Sequence, residues 1–68
     1  MFTAKMKDKA VETTCSNLVM AGLLMPAKVA KYMCDIGRMN DTGLALELIN
    51  SKMLLRNYYK RWAKASRN

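Results

Sequence analysis

The residues of this chain whose types and spacing indicate a binding chemistry are lysines and arginines close to its C-terminal end. Four of them recur at every fourth position and form what we call the basic stripe: Lys52, Arg56, Lys60 and Lys64. Arg61 and Arg67 lie beside it. In a helix this spacing brings neighbouring charges within about 5–6 Å at Cβ, where like charges repel. A partner that supplies phosphates or carboxylates would explain the pattern.

The positive charge of the whole chain is concentrated in the same region. The formal net charge is +7, yet residues 1–47 carry six Lys or Arg against five acids. Residues 48–68 carry six Lys or Arg and no acid. A nearly neutral body with a basic end favours a negatively charged partner. The alternative is a solvated face whose cations merely suit the negative end of the helix dipole.

Three aromatic side chains are interleaved with these cations: Tyr58, Tyr59 and Trp62. All three are candidate aromatic contacts for a partner. Trp62 continues the line of Leu44 and Leu48, which favours a core residue with its polar tip in water. Tyr58 and Tyr59 are adjacent and cannot both be centred on one narrow seam. We expect one of them to be partly exposed, where it could stack on a base or a guanidinium.

Several kinds of active site are excluded by residue type. The chain has no histidine, so neither a Ser-His-Asp nor a Cys-His arrangement is possible. Two cysteines cannot supply a zinc site, and the three glycines match no nucleotide-binding loop. We therefore expect no enzyme, no cofactor and no metal. Cys15 and Cys34 are predicted to be buried and reduced, which agrees with a cytoplasmic location.

Apolar residues recur at three- and four-residue steps and predict an all-α fold of three helices in a single domain, residues 1–68. The first helix should begin at Thr3, its N-cap, and run to about Leu24, because Met25 precedes a proline. Pro26 suits the first position of the second helix, and Gly37 suits a stop just past its end.

The inner faces of these two helices follow from the same spacing. The predicted inner residues of the first helix are Ala10, Val11, Cys15, Leu18, Ala21, Gly22 and Met25. Those of the second are Val29, Ala30, Met33 and Ile36.

The third helix carries the basic residues and is predicted from about Thr42 to Ser66, with Asn40, Asp41 or Thr42 as its cap. At about 1.5 Å per residue it would be roughly 36 Å long, so its last turns should project past two shorter helices. Apolar residues between Leu44 and Leu55 surround most of its circumference, which predicts packing on more than one side. The first two helices could provide that packing, or a second copy could, so a homodimer and a monomer both stay open.

Two partner classes remain, and the sequence does not separate them. The first hypothesis is a small nucleic-acid-binding or regulatory protein whose C-terminal helix contacts phosphates. The second is a helical interaction module, an inhibitor or adaptor, that docks on an acidic surface of another protein. A helix-turn-helix is not expected, because the start of the third helix is apolar and lacks side chains that read bases. A membrane partner is not expected either, because the core should use the apolar face of that helix.

Overall fold

The computed structural model describes residues 1–66 and consists of three α-helices: α1 (Ala4–Met20), α2 (Val29–Gly37) and α3 (Asp41–Ser66). One 3₁₀ turn, Pro26–Lys28, leads into α2. No strand is present in this part of the chain. The prediction of an all-α, three-helix protein with a long basic C-terminal helix is confirmed.

The start of α1 is capped as the sequence predicts. The Thr3 hydroxyl accepts a hydrogen bond from the Met6 N–H at 3.1 Å, which satisfies one of the unpaired donors of the first turn.

The end of α1 differs from the prediction, because the helix stops at Met20 rather than at Leu24. Gly22 adopts a φ of +73°, and its N–H donates to the Val19 carbonyl at 3.0 Å. The left-handed conformation is one that glycine adopts without a steric penalty, and it commonly ends helices. Gly22 is therefore the stop signal of α1 and not a residue of its inner face.

The turn between α2 and α3 also shows a different use of glycine. Gly37 is the last residue of α2 rather than a stop beyond it, and its φ is not positive. The helix thus ends within one residue of the predicted stop, but not through a left-handed glycine beyond its end. Asn40 begins the next helix, since its side-chain oxygen accepts a hydrogen bond from the Gly43 N–H at 2.7 Å. Of the three predicted caps, Asn40 is the one that acts.

Hydrogen bonds between the helices define their directions. The Phe2 N–H donates to the Asp41 carboxylate at 2.8 Å, which joins the N-terminal ends of α1 and α3. Further along both helices, the Asn17 amide donates to the Ser51 hydroxyl at 3.2 Å. Helices α1 and α3 therefore run parallel, and α2, connected by short turns, runs in the opposite direction between their ends.

The core lies where the three helices meet. Ile36 and Leu44 are fully buried, and the other buried apolar residues packed with them are Ala10, Val11 and Cys15. Thr14 is also fully buried, and its hydroxyl donates to the Ala10 carbonyl at 2.7 Å. Within the described residues, every buried side-chain nitrogen or oxygen has a hydrogen-bond partner.

Three of the predicted inner-face positions are wrong, Gly22 among them, and so is the predicted burial of Cys34. Ala30 and Met25 are exposed, since α2 turns only a narrow side toward the core and Met25 lies in the loop after Gly22. Cys34 is exposed as well, whereas Cys15 is buried, and both are free thiols.

Helix α3 is much longer than its neighbours. Its 26 residues span about 39 Å, whereas the 17 residues of α1 span about 25 Å. The longest dimension of the molecule, 45 Å, reflects this helix. From Arg56 to Ala65, every residue except the half-buried Tyr58 is exposed. We call residues 56–66 the arm, and residues 1–55 the bundle; the predicted projection of α3 is confirmed.

Candidate anion-binding surface

The predicted basic residues that the structure describes all lie on α3 and all reach solvent: Lys52, Arg56, Lys60, Arg61 and Lys64. Arg67 lies outside the described residues. Except for Lys52, they belong to the arm. None of them contributes to the buried core, so their charges are available to a partner.

The position of these cations around the helix gives the surface a direction. Successive residues are rotated by about 100°, so Arg56, Lys60 and Lys64 fall on the side of α3 opposite Leu44 and Ser51. Leu44 and Ser51 are buried against the bundle. Arg56, Lys60 and Lys64 therefore face away from α1 and α2, and a large polyanion can approach them without meeting the rest of the molecule. Lys52, by contrast, lies beside α1 and lines a hollow with Phe2 and Met6.

The acidic residues of α3 lie on the bundle, where both are half-buried. The Asp41 carboxylate accepts the Phe2 N–H at 2.8 Å, and the Glu47 carboxylate accepts the Tyr32 hydroxyl at 2.8 Å. Burial, and then this contact with Glu47, raise the pKa of Tyr32. Because no acidic side chain follows Glu47 in the sequence, none interrupts the positive potential of the arm.

The aromatic residues lie on the other side of the arm and correct one prediction. Trp62 is 60% exposed and is not a core residue. It follows the same line as Leu44, but the bundle ends before the line reaches it. Tyr59 is 50% exposed, which agrees with the expectation for one of the two tyrosines. The rings of Tyr58 and Tyr59 are tilted by 59° with centroids 5.8 Å apart.

A shallow apolar hollow marks this second side of the arm. It is lined by Tyr58, Arg61, Trp62 and Ala65. An apolar floor with a guanidinium at its edge suits an apolar side chain flanked by a carboxylate. The arm therefore has a basic side and an aromatic side, and each is open to solvent.

Sequence reasoning missed a further exposed feature, in the bundle half of α3. Leu46, Ile49 and Met53 are exposed by 62, 55 and 59%, and we call them the outer stripe. As predicted, residues 44–55 pack on more than one side, since α1 and α2 both contact this half of α3, but in the single chain neither helix covers the outer stripe. The residues of the outer stripe recur at three- and four-residue steps on the side of the helix opposite the Leu44 line. This spacing was the sequence signal that could have revealed them.

Other chemistries receive no support from the described part of the chain. It contains no group of three or more His, Cys, Asp or Glu side chains able to hold a metal ion. Burial raises the pKa of the Cys15 thiol, which disfavours the reactive thiolate. Among the described helices, none has the length and apolar character needed to cross a membrane. The sequence argument against attachment to a membrane surface fails for the arm, since Trp62 and Tyr59 are not used by the core.

No protein-family model, curated protein or solved structure matches this chain.

Proposed function

We propose that this protein binds nucleic acid through the basic side of the arm, by contacts to backbone phosphates. The observation that supports the proposal most is the outward direction of the exposed basic stripe on a helix that projects from the fold. Duplex DNA presents about one negative charge per 1.7 Å of its axis, so a row of cations gains affinity by displacing condensed counterions. No catalytic step belongs to this function, and a cytoplasmic site of action is part of the proposal.

The expected binding has little sequence preference. Contacts to phosphates position a protein but carry no sequence information. Side chains that recognise base edges would have to come from an accessible helix end, and the first turns of α3 are apolar or occupied by the Phe2–Asp41 contact. On single strands the exposed ring of Tyr59 offers a stacking surface, which tolerates any base.

A charge-matched pair of variants tests the proposal. The first variant replaces the basic stripe with glutamine: Lys52→Gln, Arg56→Gln, Lys60→Gln and Lys64→Gln. The control removes four charges, also exposed, from the bundle: Lys5→Gln, Lys9→Gln, Lys28→Gln and Lys31→Gln. Circular dichroism establishes that both are folded, and fluorescence anisotropy with labelled duplex and single-stranded DNA gives affinity as a function of salt.

The stripe variant should change the salt dependence of the affinity, and the control should not. The log–log salt slope on duplex DNA should become shallower by up to about 0.9 for each phosphate contact removed from the stripe. The control should keep the wild-type slope. Equal weakening in both variants would mean that net charge alone is responsible, and a wild-type affinity that salt does not change would reject the proposal.

A second candidate function, docking on an acidic groove of a protein, is favoured by one observation: the hollow around Trp62. A basic amphipathic helix with Tyr and Trp anchors is a common ligand for such grooves. In this case Trp62→Ala should abolish binding, while the glutamine variant of the stripe should lose only part of it.

The chain contains one tryptophan, so its fluorescence distinguishes the candidates directly. Phosphate contacts on the basic side should leave Trp62 in water and its emission nearly unchanged. Burial in a protein groove should shift the emission to shorter wavelength. Vesicles of anionic lipid provide the comparison for a membrane surface, on which Trp62 emission would shift only when lipid is present.

A further inference from the structure

The outer stripe is an apolar row on α3 that the bundle leaves uncovered. Leu46, Ile49 and Met53 are each more than half exposed, and they lie within about 60° of one another around the helix. Isolated exposed apolar residues are ordinary, but a row along one side of a helix is typical of a contact surface. The fold of the single chain does not need this row, because the core is formed on the opposite side by Leu44 and Ile36.

The spacing of the outer stripe is that of a helix–helix seam. Steps of four, three and four residues connect Thr42, Leu46, Ile49 and Met53, which is the pattern of a and d positions in a coiled coil. These four positions carry no charge. The same pattern continues to Arg56 and Lys60 in the arm, where it becomes strongly basic.

We propose that the outer stripe pairs with the outer stripe of a second copy of this chain, with the two α3 helices antiparallel. In a parallel, in-register pair, Arg56 and Lys60 would face their own counterparts across the seam, and like charges there are unfavourable. In the antiparallel pair, Leu46 lies opposite Ile49 of the second copy. Met53 then lies opposite Thr42, so all four uncharged positions are filled at once.

The occupant is a second copy because the stripe is complementary to itself in this orientation. In a two-fold contact, a residue of one copy meets a second residue of the other copy, and the same two residues meet again with the copies exchanged. The Leu46–Ile49 and Thr42–Met53 pairs satisfy this requirement. A chain of 68 residues also has a small core, for which oligomerisation is a common source of stability. Since the contact is narrow, we expect a weak dimer that forms at high micromolar concentration.

The orientation has a consequence for the two arms. Pairing about a point between Glu47 and Leu48 sends the arms in opposite directions, with the two Lys60 residues roughly 37 Å apart along the axis. The arm cations of the two copies are then well separated, so salt should strengthen self-association only modestly, by screening the net positive charge of each copy. A parallel dimer would instead become much more stable as salt screens its facing charges.

Sedimentation equilibrium without nucleic acid tests the dimer, so failure here is distinct from failure of the proposed function. The wild type should shift from monomer to dimer between low micromolar and millimolar concentration, and Leu46→Gln with Ile49→Gln should remain monomeric. The control is Leu23→Gln with Met25→Gln, which removes two equally exposed apolar residues outside the stripe and should still dimerise. A monomeric wild type at millimolar concentration, or equal loss in the control, would overturn the proposal.

Spin labels test the orientation. With Cys34→Ser to remove the exposed thiol, a label attached through Asn57→Cys should show a separation of roughly 29 Å along the axis in the antiparallel dimer. In a parallel pair the two labels would be separated only by the spacing of neighbouring helices, about 8–10 Å, plus the length of the label linkers. That shorter distance would overturn the antiparallel assignment.

Discussion

The two halves of α3 belong to one continuous helix but differ in what surrounds them. In the bundle half, Leu44 is fully buried and Ser51 accepts a hydrogen bond from Asn17. In the arm, Trp62 occupies the same line along the helix and is 60% exposed. The difference comes from the lengths of the neighbouring helices. One helix can therefore stabilise a fold at one end and present a binding surface at the other.

The largest expected effect is the difference between the two halves of α3 in what they contribute to the free energy of unfolding. Leu44→Ala removes a fully buried side chain from the centre of the core and should lower the free energy of unfolding by about 2–5 kcal/mol. Trp62→Ala removes a larger side chain from the arm and should change it by less than about 0.5 kcal/mol. Urea denaturation followed by circular dichroism measures both. Similar losses would show that the arm belongs to the folded core.

The next effect tests the turn that ends α1 and so sets where the arm begins. Gly22→Ala forces an L-residue into a φ of +73° and should cost about 1–2 kcal/mol. The matched control is Gly37→Ala, whose new Cβ meets no neighbour within 4 Å at a residue without positive φ. It should stabilise the protein by about 0.4–1 kcal/mol. If both variants lose stability equally, the conformation at Gly22 is not the cause.

A smaller effect concerns the contact of α2 with the bundle half of α3. Tyr32→Phe removes the hydrogen bond to Glu47 and should cost about 1 kcal/mol near neutral pH. Because the pKa of Tyr32 is raised above its ordinary 10.0 in the folded protein, its contribution is fully present below about pH 10. It declines above that pH, where the unfolded chain ionises while the folded one remains neutral.

Unfolding measurements at about pH 8 and pH 11 therefore compare the two proteins. The wild type should lose more stability over this interval than Tyr32→Phe, since the other titrating groups are common to both. An equal loss would indicate that Tyr32 titrates normally.

The smallest global effect is expected in the arm. Ala63→Gly weakens an exposed helical position by about 1 kcal/mol locally, so the helix content and the amide protection of the last turns should fall. The free energy of global unfolding should stay within about 0.5 kcal/mol of wild type. A global loss as large as the local one would mean that arm and bundle unfold as one unit.

The helix starts could be predicted from the sequence because their signals are local. Thr3 and Asn40 bind the N–H groups of residues three positions later, and no distant part of the chain is needed for this. The end of α1 was missed because the apolar spacing places Gly22 on the inner face and the residue before Pro26 predicts the stop. A glycine's φ is not visible in its residue type.

The candidate anion-binding surface could be predicted only in part, because part of it depends on contacts between helices. Periodicity shows which side of a helix is apolar, and it correctly placed Leu44 inside and the basic stripe outside. It does not show where the neighbouring helix ends. The four residues added to α1 in the prediction amount to about 6 Å, enough to extend the cover of α3 toward Trp62.

The length of α3 beyond the bundle also has a consequence for evolution. Substitutions in the arm leave the buried contacts of Leu44 and Ile36 unchanged, so selection can alter the arm for a new partner with little risk to folding. The bundle has no such freedom, because its few buried residues must all be retained. Across related sequences we therefore expect substitutions to accumulate fastest after Tyr58, while a positive or an aromatic character is retained on the side proposed to bind.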